Sequence, residues 1–288
     1  MNKNIKQLFI IGSQKSGTTY LANLLLQHPR VALLQGKEPD FFSGQWSRGF
    51  NWYHQNVDDL DKVYLDASTS YSAAPVSEPE VSQFQHANDP FSNVPERIAD
   101  NVEKPYFIYI LRDPVKRAYA SYWHQVRAGL ENRDFMSAIK QDSFYLRQGK
   151  YLEQLKLYLN RFNEQQILVI TFEQFITNPT ETSNQCFNFI NLEPMTVEVS
   201  QNGQNKSFTY SGLLGMLNHR LGKYGGVNNF IRMIKPLVPR PLFQFAGSLL
   251  TTTIPRMKEH EKSYLQNYYS MVNDELAEKF QLDISQWT

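Results

Sequence analysis

A glycine-rich stretch near the start of the chain, GSQKSGTT at residues 12–19, has residue types and spacing suited to holding a phosphate group. Phosphate loops of nucleotide triphosphatases follow the pattern G-x-x-x-x-G-K-[ST], in which a lysine comes directly after the second glycine. Here Gly12 and Gly17 have that spacing, but Thr18 occupies the lysine position and Lys15 lies inside the loop. The stretch therefore predicts an anion site whose cation is displaced from the place where a γ-phosphate and magnesium need it.

A second cation, Arg112, stands at the end of another apolar run, FIYIL at residues 107–111. Asp113 and Pro114 follow it, and proline suits the first turn of a helix, so the pattern predicts a strand, a turn and a helix. Open α/β sheets bind ligands at the carboxyl ends of their strands, so a cation there indicates a second phosphate on the same ligand. The alternatives are that the glycine-rich turn is purely structural and that Arg112 is a surface arginine paired with Asp113.

The elements that must position these residues are predicted to be strands alternating with helices. Most of the strand candidates are continuous apolar runs, as in a parallel sheet that is covered on both faces. The predicted strands are residues 8–11, 31–34, 63–65, 107–111 and 167–171. The predicted helices are residues 20–26, 115–128, 150–162, 180–190 and 258–279. This alternation predicts an α/β fold with a P-loop-type central parallel sheet flanked by helices, and residues 72–93 are predicted to form a surface loop.

Composition narrows the class of protein. The chain has 288 residues and a net charge of +1, which does not indicate a nucleic-acid binder. It has no apolar run of about 18 residues that would span a membrane, and its first apolar run is too short for a signal peptide. The single cysteine, Cys186, lies in an apolar stretch and is predicted to be a buried structural thiol. We therefore expect a cytoplasmic protein.

Four stretches together resemble the sulfotransferase family that uses 3′-phosphoadenosine-5′-phosphosulfate (PAPS), above all its bacterial members and its carbohydrate, heparan-type branch. They are GSQKSGTTYL at residues 12–21, GKEPDFF at 36–42, the segment 94–125 that contains ILRDP, and LDISQW at 282–287. The resemblance spans nearly the whole chain and implies a single sulfotransferase domain over residues 1–288. It implies in-line transfer of the sulfuryl group to an acceptor hydroxyl or amine, without a metal, leaving adenosine 3′,5′-bisphosphate (PAP).

The resemblance also implies roles for the loop residues. Lys15 matches the family's catalytic lysine, which stabilises the negative charge that builds on the bridging oxygen as the S–O bond breaks. The backbone of Ser16, Gly17 and Thr18 and the hydroxyls of Thr18 and Thr19 are expected to cradle the 5′-phosphate.

Arg112 matches the family's 3′-phosphate arginine, but the helix that follows departs from the pattern. The family usually has a serine eight positions later, where this chain has Ala120 and then Ser121. One residue turns a helix by about 100°, so either a local shift brings Ser121 to the donor or other groups replace it. We expect Ser121 to bind the donor. Lys206 is also expected to touch a phosphate, since the stretch around it commonly closes over the donor in this family.

Glu38, within GKEPDFF, is the candidate base that takes the proton from the acceptor. Phe41 and Phe42 are expected to supply an apolar wall that makes Glu38 a stronger base, whereas the Lys37 ammonium would make it a weaker one. From the residues alone the alternative is a capping or salt-bridged glutamate. Ala67 stands where the heparan enzymes usually carry a lysine, which leaves the acceptor open between a saccharide, a lipid headgroup and other hydroxyl or amine compounds.

The histidines show no metal-ligand spacing. His28 precedes Pro29 at the predicted end of a helix and is interpreted as structural. His54 and His124 are either acceptor-site groups or packed histidines.

Residues 199–258 contain no Asp or Glu but several Lys and Arg. They predict either a basic cover over the active site or a surface for an acidic saccharide or an anionic lipid, with peripheral membrane contact. Two other functions stay open. One is a P-loop kinase in which Asp66 holds magnesium, and the other is a non-catalytic nucleotide binder in which Ala120 marks a weakened 3′-phosphate site.

Overall fold

A five-stranded parallel sheet with the strand order β2-β3-β1-β4-β5 lies at the centre of the fold. In this computed structural model the described residues are 5–76, 89–141, 144–199, 208–210, 251–270 and 273–287. The strands are β1 (Lys6–Gly12), β2 (Val31–Leu33), β3 (Val63–Asp66), β4 (Tyr106–Leu111) and β5 (Ile167–Thr171). All neighbouring strands pair in parallel, so the predicted α/β fold and its five strands are confirmed.

The sheet is apolar on both faces, which is why its strands are continuous apolar runs. Leu8 and Ile10 of β1 lie on one face, in a cluster that includes Cys186. Phe9 and Ile11 lie on the other face, in a cluster with aromatic side chains of the helix that follows residue 150. The Cys186 thiol is fully buried, as predicted, and burial raises its pKa to about 12.

Helices cover both faces of the sheet. Those up to residue 141 are α1 (Thr18–Leu25), α2 (Gly49–Tyr53), α3 (Val94–Asn101), α4 (Pro114–Ala128) and α5 (Phe135–Gln141). Those after it are α6 (Phe144–Arg147), α7 (Tyr151–Leu159), α8 (Phe172–Thr177), α9 (Pro179–Phe189), α10 (Glu259–Tyr269) and α11 (Asn273–Phe280). The predicted helices after β1, β4 and β5 and the one at 150–162 are present, with ends within three residues of the prediction.

The helix predicted at residues 258–279 is instead two helices, α10 and α11. They serve different cores, because Leu265 and Tyr269 pack with Val115 and Tyr145, whereas Leu276 packs with Tyr151 and its neighbours. The apolar positions that predicted one long helix therefore belong to two helices, each packed in a different hydrophobic cluster.

A short antiparallel pair, β6 (Phe208–Tyr210) with β7 (Thr251–Thr253), is also described. Lys206, most of the basic region 199–258 and residues 77–88 of the predicted loop lie outside the described residues. Within the described part of the chain, no helix is both long enough and apolar enough to cross a bilayer.

Candidate active site

The glycine-rich loop lies between β1 and α1, at the carboxyl edge of the sheet. It is fastened to the neighbouring strand β4, since the backbone N–H of Ser13 donates to the Ile110 carbonyl at 2.7 Å and the Ser13 hydroxyl donates to the same oxygen at 3.1 Å. The hydroxyls of Ser13 and Ser16 lie 2.5 Å apart and both side chains are buried. Thr18 begins α1, so the free N–H groups of that helix face the loop, as an anion site requires.

Gly17 is required by both conformation and space. Its φ of +82° lies in the left-handed region, and a Cβ there would meet ring carbons of Phe172 at 3.0 Å. The same Phe172 ring lies under Arg112, whose guanidinium carbon is 4.9 Å from the ring centroid. Phe172 thus holds the loop and the arginine side by side.

Arg112 reaches the loop from the end of β4, the strand next to β1. Its Nη1 donates to the Lys15 carbonyl at 2.8 Å, while its buried Nε has no hydrogen-bond partner among the described residues. Burial lowers the pKa of Arg112, and the nearby Glu173 carboxylate opposes that effect. An orphaned, charged donor is costly to bury, and an anionic ligand would satisfy it.

Lys15 is surrounded by other cations. Burial, together with the charges of Arg127 and Arg112, lowers its pKa to about 8, although the Glu38 carboxylate acts in the opposite direction. Its Nζ lies 3.4 Å from Nδ1 of His124, and Nη2 of Arg127 lies 3.1 Å from the same nitrogen. Cations gathered in this way favour an anionic ligand.

His124 is a neutral imidazole in this setting. Burial, followed by the charges of Lys15 and Arg127, lowers its pKa to about 4. Because both neighbours can only donate, Nδ1 is the acceptor and the ring proton sits on Nε2. His124 is therefore a packed histidine, which is the second of the two alternatives, and it contacts the loop lysine directly. His54, in contrast, lies near the start of β1, where its Nε2 is 3.5 Å from the side-chain amide nitrogen of Gln7.

Glu38 is paired with Lys37. The Lys37 ammonium forms a short contact with Glu38 Oε1 and donates to the Thr19 hydroxyl at 2.7 Å. The Glu38 side chain is 40% exposed, whereas Phe41 and Phe42 are fully buried in an aromatic cluster. The expected apolar wall is therefore not the environment of Glu38, because these two rings fill the core and the carboxylate faces an ammonium and water.

Ser121 does reach the loop. Its buried hydroxyl donates to Oε1 of Gln14 at 2.7 Å, so the one-residue displacement from Ala120 turns the serine toward the loop side chains. Gln14 had no distinguishing signal in the sequence. Arg127 had a weak one, since Ser121, His124 and Arg127 follow at intervals of three and lie on one face of α4.

Asp66 has all its acceptor sites occupied. One carboxylate oxygen accepts from the N–H of Ser68 at 3.1 Å and the hydroxyl of Ser68 at 2.5 Å, and the other accepts from Tyr53 and Tyr71, each at 2.7 Å. Burial raises its pKa to about 6. This carboxylate anchors the turn after β3, which argues against the kinase alternative. Among the described residues, no group of three or more His, Cys, Asp or Glu side chains could hold a metal.

Comparisons with known proteins agree with this geometry. Residues 6–221 match the sulfotransferase domain family. The chain belongs to the sulfotransferase family. The relatives include the bifunctional heparan sulfate N-deacetylase/N-sulfotransferase of Drosophila melanogaster, 27% identical over 214 residues that cover 67% of this chain and 20% of the relative. The human heparan sulfate glucosamine 3-O-sulfotransferase 3B1 is 27% identical over 201 residues, which cover 67% of this chain and 47% of that protein.

A solved structure supports the fold of this sulfotransferase. The sulfotransferase from Alicyclobacillus acidocaldarius is 19% identical, has a TM-score of 0.67 and covers 98% of both chains. The chain spans less than half the length of the fly and human relatives named above.

Proposed function

We propose that the protein transfers a sulfuryl group from PAPS to a hydroxyl or amine of a carbohydrate. The observation that carries this proposal is the convergence of Lys15 and Arg112 on one glycine-rich loop. The lysine is held among other cations, and the buried Nε of the arginine lacks a partner in the described chain. Two cations from neighbouring strand ends suit a ligand with two phosphate groups, and membership of the sulfotransferase family supplies the identity of that ligand.

The residues present fit this donor. Backbone N–H groups of Gly17 and Thr18 at the start of α1 would hold the 5′-phosphate, whereas the Ser16 N–H already donates to the Ser13 carbonyl at 3.2 Å. Arg112 would hold the 3′-phosphate through the unpartnered Nε, with Ser121 supporting the loop through Gln14. The Thr19 hydroxyl accepts from Lys37 and so would also position Lys37 beside the donor, while its own O–H is available to donate to the 5′-phosphate. Contact between Lys206 and a phosphate stays a prediction.

Lys15 and Glu38 would share the chemistry. PAPS supplies an activated sulfuryl group whose S–O bond to the 5′-phosphate breaks as the acceptor attacks sulfur. Glu38 would take the proton from the acceptor, and the Lys15 ammonium would stabilise the charge left on the bridging oxygen. Lys37 contacts the Glu38 carboxylate and would orient it until the acceptor arrives. Glu38 accounts for the acceptor's proton and Lys15 for the charge on the leaving oxygen, so we propose that the reaction needs no metal.

The second part of the proposal is the chemical class of the acceptor, an acidic saccharide. The named relatives act on heparan sulfate, and the cations Lys37 and Arg127, which together with Glu38 act on Lys15, favour an acidic saccharide. A lipid headgroup or a membrane surface would depend on residues 211–250, outside the described part, so we place it second. The cytoplasmic location stays a prediction from the single cysteine.

Calorimetric titration with PAP in the presence of a chelator, beside ATP with magnesium, tests the donor site. We expect PAP to bind without metal and Arg112→Ala to weaken it by about 100-fold, as for loss of a buried charge-assisted contact. Preference for ATP with magnesium would overturn the proposal.

Transfer of radiolabelled sulfate from PAPS to a panel of desulfated glycosaminoglycans tests the reaction. Glu38→Gln should bind PAP like the wild type and lose turnover by at least about 100-fold. A near-normal rate in Glu38→Gln would remove Glu38 as the base. PAP binding with no transfer to any saccharide, phenol or lipid would indicate a non-catalytic binder.

A further inference from the structure

The carboxylate of Glu173 is held by two donors beside the Arg112 turn. The backbone N–H of Asp113 donates to its Oε1 at 3.2 Å, and the indole Nε1 of Trp287 donates to its Oε2 at 3.0 Å. Asp113 is the residue after Arg112, and Trp287 comes from a segment far away in the sequence. Both oxygens of Glu173 are therefore engaged at a point next to the proposed 3′-phosphate arginine.

The segment that carries Trp287 is packed against the same turn. The Trp287 ring meets Tyr151 edge to face with 6.0 Å between centroids, and the Tyr151 hydroxyl donates to the Arg112 carbonyl at 2.6 Å. Lys116, which pairs with Asp113 at 2.9 Å, also donates to the carbonyl of Gln286 at 3.4 Å. These contacts fix where the indole N–H points.

Burial has the largest effect on the pKa of Arg112 and lowers it, and the negative charge of Glu173 has the next largest effect and raises it. A carboxylate bound to the backbone of the residue next to an arginine can form a bidentate pair with its guanidinium. Instead Arg112 donates to the Lys15 carbonyl, and its Nε is left without a partner in the described chain. Such a pair would occupy the guanidinium and compete with a phosphate for it.

We propose that Trp287 is a positioning residue for the donor. Its indole N–H holds the Glu173 carboxylate on the Asp113 backbone and away from the Arg112 guanidinium, which stays available for the 3′-phosphate. The inference rests on the proposed function, because it assumes that Arg112 binds the donor.

The test is PAP binding by calorimetry in Trp287→Phe, Glu173→Gln and the double variant. Trp287→Phe keeps an aromatic ring on Tyr151 but removes the N–H, so Glu173 is free to pair with Arg112. We expect PAP affinity to fall by about tenfold, on the order of one charge-assisted hydrogen bond. Glu173→Gln carries no charge that could compete, so affinity should be kept or increased. The double variant should bind like Glu173→Gln alone, since the competing carboxylate is absent.

The rescue separates positioning from simple loss of packing. If Trp287→Phe only loosened the turn, the double variant would stay as weak as Trp287→Phe, and that result would overturn the inference. Trp52→Phe is the matched control, since Trp52 is half-buried beneath the Arg48 guanidinium and away from the loop, and it should leave PAP affinity unchanged. If Trp287→Phe fails to fold, a clear loss of PAP affinity in Glu173→Gln alone would still overturn the proposal.

Failure of the proposed function gives a different pattern. In that case wild-type protein would not bind PAP, or Arg112→Ala would bind it normally, and both proposals would fall together. If Arg112→Ala loses affinity while the Trp287 and Glu173 variants all bind like wild type, only the role of Trp287 is removed.

Discussion

Replacing Lys15 with methionine should stabilise the protein while destroying its donor site. The pKa of Lys15 falls from 10.5 to about 8 in the folded state because the ammonium is partly buried among Arg127, Arg112 and Lys37. At about 1.4 kcal/mol per pH unit, that fall corresponds to about 3 kcal/mol of destabilisation at neutral pH. Part of the side chain still meets water, so we expect Lys15→Met to raise the free energy of unfolding by about 1–3 kcal/mol at about pH 7.

The gain should depend on pH in a defined direction. Because the pKa is lower in the folded protein, the unfolded chain binds this proton more tightly, and Lys15 destabilises the fold fully at any pH below about 8. The destabilisation is relieved as the pH rises from about 8 toward 10.5. The advantage of Lys15→Met should therefore shrink by more than half between about pH 7 and about pH 9.5.

Urea denaturation followed by tryptophan fluorescence at several pH values measures this effect. Lys104→Met, at an exposed lysine, is the matched control and should change stability by less than about 0.5 kcal/mol. Lower stability of Lys15→Met at neutral pH, or a gain of the same size at every pH, would refute the idea that the loop lysine is held in an unfavourable charge environment. PAP should protect the wild type against unfolding and leave Lys15→Met unprotected.

Three further results are expected. PAP binding at about pH 8 should take up protons, because the ligand's negative charge raises the pKa of Lys15 again; identical calorimetric enthalpies in buffers of different ionisation enthalpy would contradict this. Gly17→Ala should lower the free energy of unfolding by about 1–3 kcal/mol and weaken PAP binding, because its Cβ would press on Phe172 at a φ of +82°; an unchanged denaturation midpoint would count against it. The Cys186 thiol, with its pKa raised to about 12 by burial, should react with Ellman's reagent no faster than the protein unfolds; rapid labelling of the native protein would show that it is accessible.

The positions of the loop and of Arg112 could be inferred from the sequence because both depend on local signals. A continuous apolar run marks each buried strand, and the glycines or the Asp-Pro pair mark the turn that follows. Since parallel strands end at one edge of the sheet, Lys15 and Arg112 could be expected to meet, and the Arg112 side chain does contact the Lys15 carbonyl.

The environment of Glu38 could not be inferred in the same way. Phe41 and Phe42 are close to Glu38 in sequence, but the aromatic cluster that buries them is assembled from several distant elements. Contact with Lys37 and Thr19 depends on where that cluster places the turn. The division of the predicted last helix into α10 and α11 also depends on distant residues, because the two helices pack in different hydrophobic clusters.

By itself the sequence determined the class of fold, the five strands, the phosphate loop and the two cations that face it, since all of these follow from spacing along the chain. Only the tertiary structure decided that Ser121 reaches Gln14, that Asp66 accepts from two tyrosines, and that the Trp287 indole donates to Glu173. Those contacts join residues separated by long stretches of chain or depend on the rotation of a helix. Their geometry is set by how whole elements pack, and no local pattern specifies it.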